Sequence, residues 1–191
     1  MPSLNNIGAD GIQVETDADS DESLNGQFIM NGGSINLAVT AQDTKGIRLD
    51  AAENNTSIVP QMLINSGSIT VNLTSTALGS KAIASDGNLT IGTSTTSPTI
   101  NVTVAAGTYT DPSTDEENRA TGLKAENTLT IAGGTTTVAA TGQKSRGVRA
   151  TTLVATGGSL TVTNTSNSQG IKLDNTFVSG QGGTVSGNFK Y

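Results

Sequence analysis

Apolar and polar residues alternate along this chain in short runs, and the runs recur in a fixed order. A five-residue phrase appears six times: GIQVE (11–15), GIRLD (46–50), AIASD (82–86), GLKAE (122–126), GVRAT (147–151) and GIKLD (170–174). A second apolar phrase follows each one, usually closing on glycine: FIMNGG (28–33), MLINSG (62–67), NLTIGT (88–93), TLTIAGG (128–134), TLVATGG (152–158) and FVSGQGG (177–183). A third is rich in Thr and β-branched residues: SINLAV (34–39), SITVNL (68–73), TINVTV (99–104), TTTVAA (135–140), SLTVT (159–163) and TVSGNF (184–189). The period within each phrase is two, the period of a strand with one buried face. No window sustains the 3.6 period of a helix, and Thr, Val, Ile, Asn and Gly are poor helix formers.

Three short strands repeated six times predict an all-β chain: a right-handed, single-stranded parallel β-helix (β-solenoid) of about six three-strand coils. One turn cannot bury its own apolar face, but a stack of turns can. The right hand follows from the preference of parallel crossovers. The central aliphatics Ile12, Ile47, Ile83, Leu123, Val148 and Ile171 are spaced by 35, 36, 40, 25 and 23 residues. The last two steps fit a bare coil. The longer ones carry insertions at 16–27, 51–61, 92–98 and 106–119. The first two insertions come from the same corner of neighbouring coils, so contact between them is expected. Pro112 and polar composition predict a mobile surface loop over 108–119. The glycine pairs at 32–33, 133–134, 157–158 and 182–183 suit left-handed corners. The 191 residues are read as a single domain, with a fragment of a longer solenoid as the alternative, because no polar cap is visible at either end.

Composition then narrows the function. Only 34% of residues are hydrophobic and 3% aromatic, which suits a narrow core of small aliphatics better than a globular one. The net charge of −6 argues against nucleic acid as a partner. No stretch reaches the roughly 20 apolar residues of a membrane span, so no membrane insertion is expected. Neither histidine nor cysteine is present. That removes the usual neutral-pH proton shuttle and the commonest zinc ligands.

Alternation within the first phrase places one column outward: Gln13, Arg48, Ala84, Lys124, Arg149 and Lys172. A second outward column follows two residues on: Glu15, Asp50, Asp86, Glu126, Thr151 and Asp174. At the corner before the strand stand Asp10, Lys45, Lys81, Thr121, Arg146 and Gln169. Seven of the ten basic residues fall in these columns (Lys45, Arg48, Lys81, Lys124, Arg146, Arg149 and Lys172). Neighbours in a column would sit about 4.8 Å apart. Such a wall could receive a polyanionic or hydroxyl-rich chain, its carboxylates taken by Arg and Lys and its hydroxyls, or calcium, by Asp and Glu. The alternative is that the columns pair with each other and only keep the sheet soluble.

A second candidate is the acidic run Asp17, Asp19 and Asp21. It alternates like the start of an EF-hand loop, but Glu22 stands where glycine is required and Phe28 where glutamate is required. A looser calcium site sharing Glu15 or Asp50 is the expectation, against a solvated loop tip. Paired carboxylates at Asp50 and Asp86, or Asp86 and Glu126, also fit the spacing of a glycosidase. Any acidic column in a regular stack has that spacing, however, and the neighbouring Arg48, Lys124 and Arg149 would be held protonated. The chain is therefore read as not an enzyme.

The segments GLKAENTLTIAGGTTTV (122–138), GIKLDNTFVSGQGGTV (170–185) and SKAIASDGNLTI (80–91) resemble the repeats of bacterial carbohydrate-binding-domain-containing proteins with a polysaccharide-lyase-like β-helix. The resemblance covers about residues 80–185. It implies a secreted or cell-surface protein that binds cellulose-like or acidic plant polysaccharide, with calcium on the coils. The basic and acidic positions of the motif carry over to Lys124 and Glu126 and to Lys172 and Asp174. Ala84 and Thr151 interrupt the two columns. The absence of Trp favours a charged, extended glycan over crystalline cellulose. The expected state is a monomer, or end-to-end contact with further coils. A structural or adhesive surface module is the second reading, and a lyase or hydrolase the third.

Overall fold

The structure, a computed structural model, describes residues 10–15, 26–52, 58–180 and 182–190. These residues form strands and turns without a helix. The first repeat contributes β1 (Ile12–Val14) and β2 (Gln27–Val39), and the second β3 (Lys45–Leu49) and β4 (Gln61–Leu73). The third supplies β5 (Lys81–Ser85), β6 (Asn88–Ile91) and β7 (Thr99–Val104), followed by β8 (Thr108–Thr110) and β9 (Glu117–Arg119). Then come β10 (Thr121–Ile131) and β11 (Thr135–Ala140), β12 (Arg146–Ala155) and β13 (Ser159–Asn164), and β14 (Gln169–Ser179) and β15 (Thr184–Ser186). A short β16 (Phe189–Lys190) ends the described chain. Apart from the antiparallel pair β8–β9, the strands belong to one hydrogen-bonded sheet in which every pairing is parallel.

Each strand pairs with its equivalent one repeat away. Ile12, Ile47, Ile83, Leu123, Val148, Ile171 and Phe189 are successive partners in the first series. Phe28, Met62, Leu89, Leu129, Leu153 and Phe177 align in the second. Leu37, Val71, Val102, Val138 and Val162 align in the third. These residues form one continuous apolar core. Like residues meet like along the stack because the repeats are offset by whole units, so the period-two pattern never slips a face.

Three features differ from the strand pattern expected from sequence. Neighbouring phrases run together: second and third in β2 and β4, and first and second in β10, β12 and β14, the latter with a register shift after Ala125 and after Ala150 where the chain turns. The segment 184–189 is not one third strand. It ends at Ser186, and Phe189–Lys190 instead begins another first strand beside Ile171 and Lys172. The loop expected over 108–119 is the β8–β9 hairpin, with Tyr109 opposite Asn118. The insertions expected to touch, at 16–27 and 51–61, lie largely outside the described residues.

The glycine that opens the first phrase has a packing reason. A Cβ added at Gly11, Gly46, Gly122 or Gly170 would lie 2.6 Å from the carbonyl oxygen of the equivalent residue one repeat on. At Gly122 it would also lie 2.6 Å from Val138 Cγ1. The constraint is close approach between repeats, not backbone conformation. The corner glycines are different: Gly33, Gly134, Gly158 and Gly182 have φ of 80°, 77°, 64° and 95°, as the glycine pairs suggested.

Two stability measurements follow. Gly122→Ala should destabilise the chain by about 1–3 kcal/mol through overpacking, seen as a lower denaturant midpoint; an unchanged midpoint would refute the close approach. Thr136 sits fully buried between Ile100 and Leu160, and its hydroxyl has no hydrogen-bond partner among the described residues. Thr136→Val keeps the shape and removes a costly polar group, so the midpoint should rise, by about 1 kcal/mol in stability.

Candidate functional site

The column expected from Gln13 to Lys172 is in register along the first strands. Gln13 pairs with Arg48, Arg48 with Ala84, Ala84 with Lys124, Lys124 with Arg149, and Arg149 with Lys172. Lys172 in turn pairs with Lys190, a cation the sequence reading did not place in the column. The corner column is also in register, from Lys45 through Lys81, Thr121 and Arg146 to Gln169. Eight of the ten basic residues thus share one wall. The other two, Arg119 and Lys144, both pair with Glu117 of the hairpin.

The acidic column is held against the basic one. Arg48 is bridged to Asp50 and to Asp10 at 3.4 Å. Lys124 is paired with Glu126. Asp174 receives both Lys172 at 3.1 Å and Arg149 at 3.4 Å. Burial disfavours the Arg48 charge, but Asp50 and Asp10 outweigh it and hold the guanidinium above its ordinary value. Partial burial would lift Asp174, yet Lys172 and Arg149 keep its carboxyl below the usual range. Arg146 donates to Gln169 at 3.1 Å. Burial, with Arg119 and Arg149 close by, draws its value down.

Asp50 corrects one expectation. It does not face open solvent but is 8% exposed, covered by Arg48 and by Gln13, whose amide donates to it at 3.1 Å. The same amide donates to Glu15 at 2.8 Å, so Gln13 brings these two candidate metal carboxylates together. Asp17, Asp19 and Asp21 lie outside the described residues. Among the described residues no group of three His, Cys, Asp or Glu side chains is arranged to hold a metal ion.

Ala84 matters most for the shape of the wall. A methyl group stands there between Arg48 and Lys124, and the surface sinks into a cleft of about 470 Å³. Its lining is Lys45, Arg48, Lys81, Lys124, Asp43, Asp86, Glu126 and Asn118. Asn118 comes from the hairpin, which is anchored beside the corner by Gly79 N–H donating to the Gly107 carbonyl at 3.0 Å. Tyr109 packs so closely on Gly79 that an added Cβ would lie 2.7 Å from its own Cβ. Asp43 and Asn118 were missed in the sequence: both sit in segments without repeat periodicity.

Lys81 is the most constrained of the cations. Its side chain is 12% exposed, its ammonium donates to the Gly79 carbonyl at 2.7 Å, and Asp43 lies 3.9 Å away. Burial pushes its pKa down to about 8; Asp43 opposes this, while Lys45, Lys124 and Arg149 add to it.

A stability test follows from this. The folded pKa lies below the value near 10.5 of the unfolded chain, so between these pH values the unfolded state holds more protons and stability rises with pH. Denaturation midpoints should therefore climb from pH 8 to about 10.5, and Lys81→Met should flatten that climb. An equal climb in the variant would assign it to other groups.

No family model matches this chain, and searches of curated proteins and of solved structures return no match. Among the described residues no helix is long and apolar enough to cross a membrane.

Proposed function

We propose that this chain is a right-handed parallel β-helix of about six coils that binds acidic polysaccharide, without catalysis, along its charged wall. The observation that carries the reading is the registered column Arg48, Ala84, Lys124, Arg149, Lys172 and Lys190, in which Arg48, Lys124, Arg149 and Lys172 each have a carboxylate beside them. A uronic-acid polymer needs this combination: cations for its carboxylates and acceptors for its hydroxyls. The existing ion pairs do not oppose it. Pairs this exposed are worth about 1 kcal/mol or less, so a ligand carboxylate exchanges with Glu126 or Asp174 at small cost. The resemblance of residues 80–185 to carbohydrate-binding repeats supports the same reading, including a secreted or cell-surface location. Calcium shared by Glu15, Asp50 and the acidic run at 17–21 is part of the proposal, as a second anchor for carboxylates.

The ion pairs themselves favour a second reading. A wall that neutralises its own charge suits a structural or adhesive module that holds another domain away from a surface.

Affinity electrophoresis in polygalacturonate separates the two. Retardation of the wild type, eased by salt and reduced about tenfold or more in Lys124→Ala/Arg149→Ala/Lys172→Ala, is expected for the binder. Unretarded migration on every uronic-acid polymer, with calcium and with a chelator, would leave the structural module.

A further inference from the structure

The break in the column borders a cleft lined by charged side chains. From Arg48 to Lys190 the column carries long basic side chains except at Ala84, whose methyl is covered by its neighbours, and the cleft beside it has two unlike ends. Lys45 and Lys81 open β3 and β5 at one end of the cleft, while at the other Asp86 follows β5 and Glu126 stands within β10. Asn118 closes one side from the hairpin.

The charges of the lining are unequally committed. Arg48 is held by Asp10 and Asp50, and Lys124 by Glu126. Lys45 has no ion pair among the described residues, nor has Asp86, and Lys81 faces its carboxylate partner Asp43 at 3.9 Å. Lys45 and Asp86 are therefore left without an ion pair among the described residues, while Lys81 is held by the Gly79 carbonyl and, at longer range, by Asp43, and Asn118 adds an amide. An anion at the lysine end with hydroxyls reaching Asp86 and Asn118 would satisfy all of them.

We propose that this cleft is a subsite for one uronic-acid unit, its carboxylate held by Lys45 and Lys81 and its hydroxyls by Asp86 and Asn118. The volume is in the range of small-ligand sites, and the hairpin makes it a pocket where the rest of the wall is open. The inference rests on the wall's binding acidic glycan, but it adds something the column alone does not supply: recognition of a single sugar. Lys81 is its specificity-determining residue. The groups facing that ammonium are Asp43 and Lys45 from the turn before β3 and from β3, Lys124 from β10 and Arg149 from β12, with Asp86 and Glu126 lining the same cleft. Its low pKa is the cost of packing a buried ammonium among cations, and a bound carboxylate relieves that cost. Binding above pH 8 must then be coupled to proton uptake.

Ala84→Lys is the decisive variant, because the two ideas predict opposite signs. It restores the cation column but fills the cleft. Titrations would follow D-galacturonic acid and D-galactose by NMR, with polygalacturonate retention measured in parallel. Galacturonic acid should bind the wild type and galactose should not. Its affinity should fall about tenfold between pH 7 and pH 9, as Lys81 loses its proton. Ala84→Lys should abolish monosaccharide binding while polymer retention persists or tightens. Lys81→Met should weaken binding and remove the pH step. Equal binding of galacturonic acid by Ala84→Lys and wild type, or equal binding of galactose, would overturn the subsite. Polymer retention without any monosaccharide binding would overturn the subsite alone; loss of polymer retention by the wild type would overturn the wall reading beneath it.

Discussion

Everything in this molecule depends on how closely successive repeats approach one another. Parallel ladders fix neighbouring strands at about 4.8 Å, and the opening glycines of the first phrase bring backbone against carbonyl with no room for a methyl group. Under that constraint, residues far apart in the chain become direct neighbours. Aliphatics stack on aliphatics, and the core can be built from Ile, Leu, Val and Ala with hardly any aromatic residues. The composition that would leave a globular domain short of core is sufficient here, because the buried volume is narrow and each repeat fills its own share of it.

The same spacing governs the charges. Cations brought into one column repel each other, and the structure answers with a carboxylate column beside them. Arg48, Lys124, Arg149 and Lys172 each have an acidic partner within reach. Lys81 is the exception in degree: it is nearly buried, ringed by other cations, and its nearest carboxylate is almost 4 Å away. It also borders the one position where the column carries a methyl group. The cleft beside Ala84 is lined by the ion-paired Arg48, Lys81 and Lys124 together with Lys45 and Asp86, which have no ion pair among the described residues.

The repeat pattern made most of the fold legible. Register between Arg48, Lys124, Arg149 and Lys172 was readable because every repeat places its cation at the same step from its central aliphatic. Lys190 is hard to place from sequence because Phe189 stands where the other first phrases have Ile, Leu or Val, and Asn188 stands where they have Gly or Ala. The hairpin at 108–119 was read as a mobile loop because three-residue strands leave no detectable alternation. Asp50 was placed in solvent because its position in the strand faces outward; that Arg48 and Gln13 fold over it is decided by side chains from two repeats.

The chain order of apolar and polar residues settled which side chains are inside and which columns they form, since a period of two admits only two faces and a constant offset keeps them aligned. What the tertiary structure alone decided is depth. Whether Lys81 is exposed or buried, whether Ala84 is a flaw in a track or the floor of a cleft, and whether Asn118 has any part in it all depend on where a non-repeating hairpin packs against repeating strands. Periodicity carries no information about that contact, because it is made by residues that have no counterpart in the neighbouring repeats.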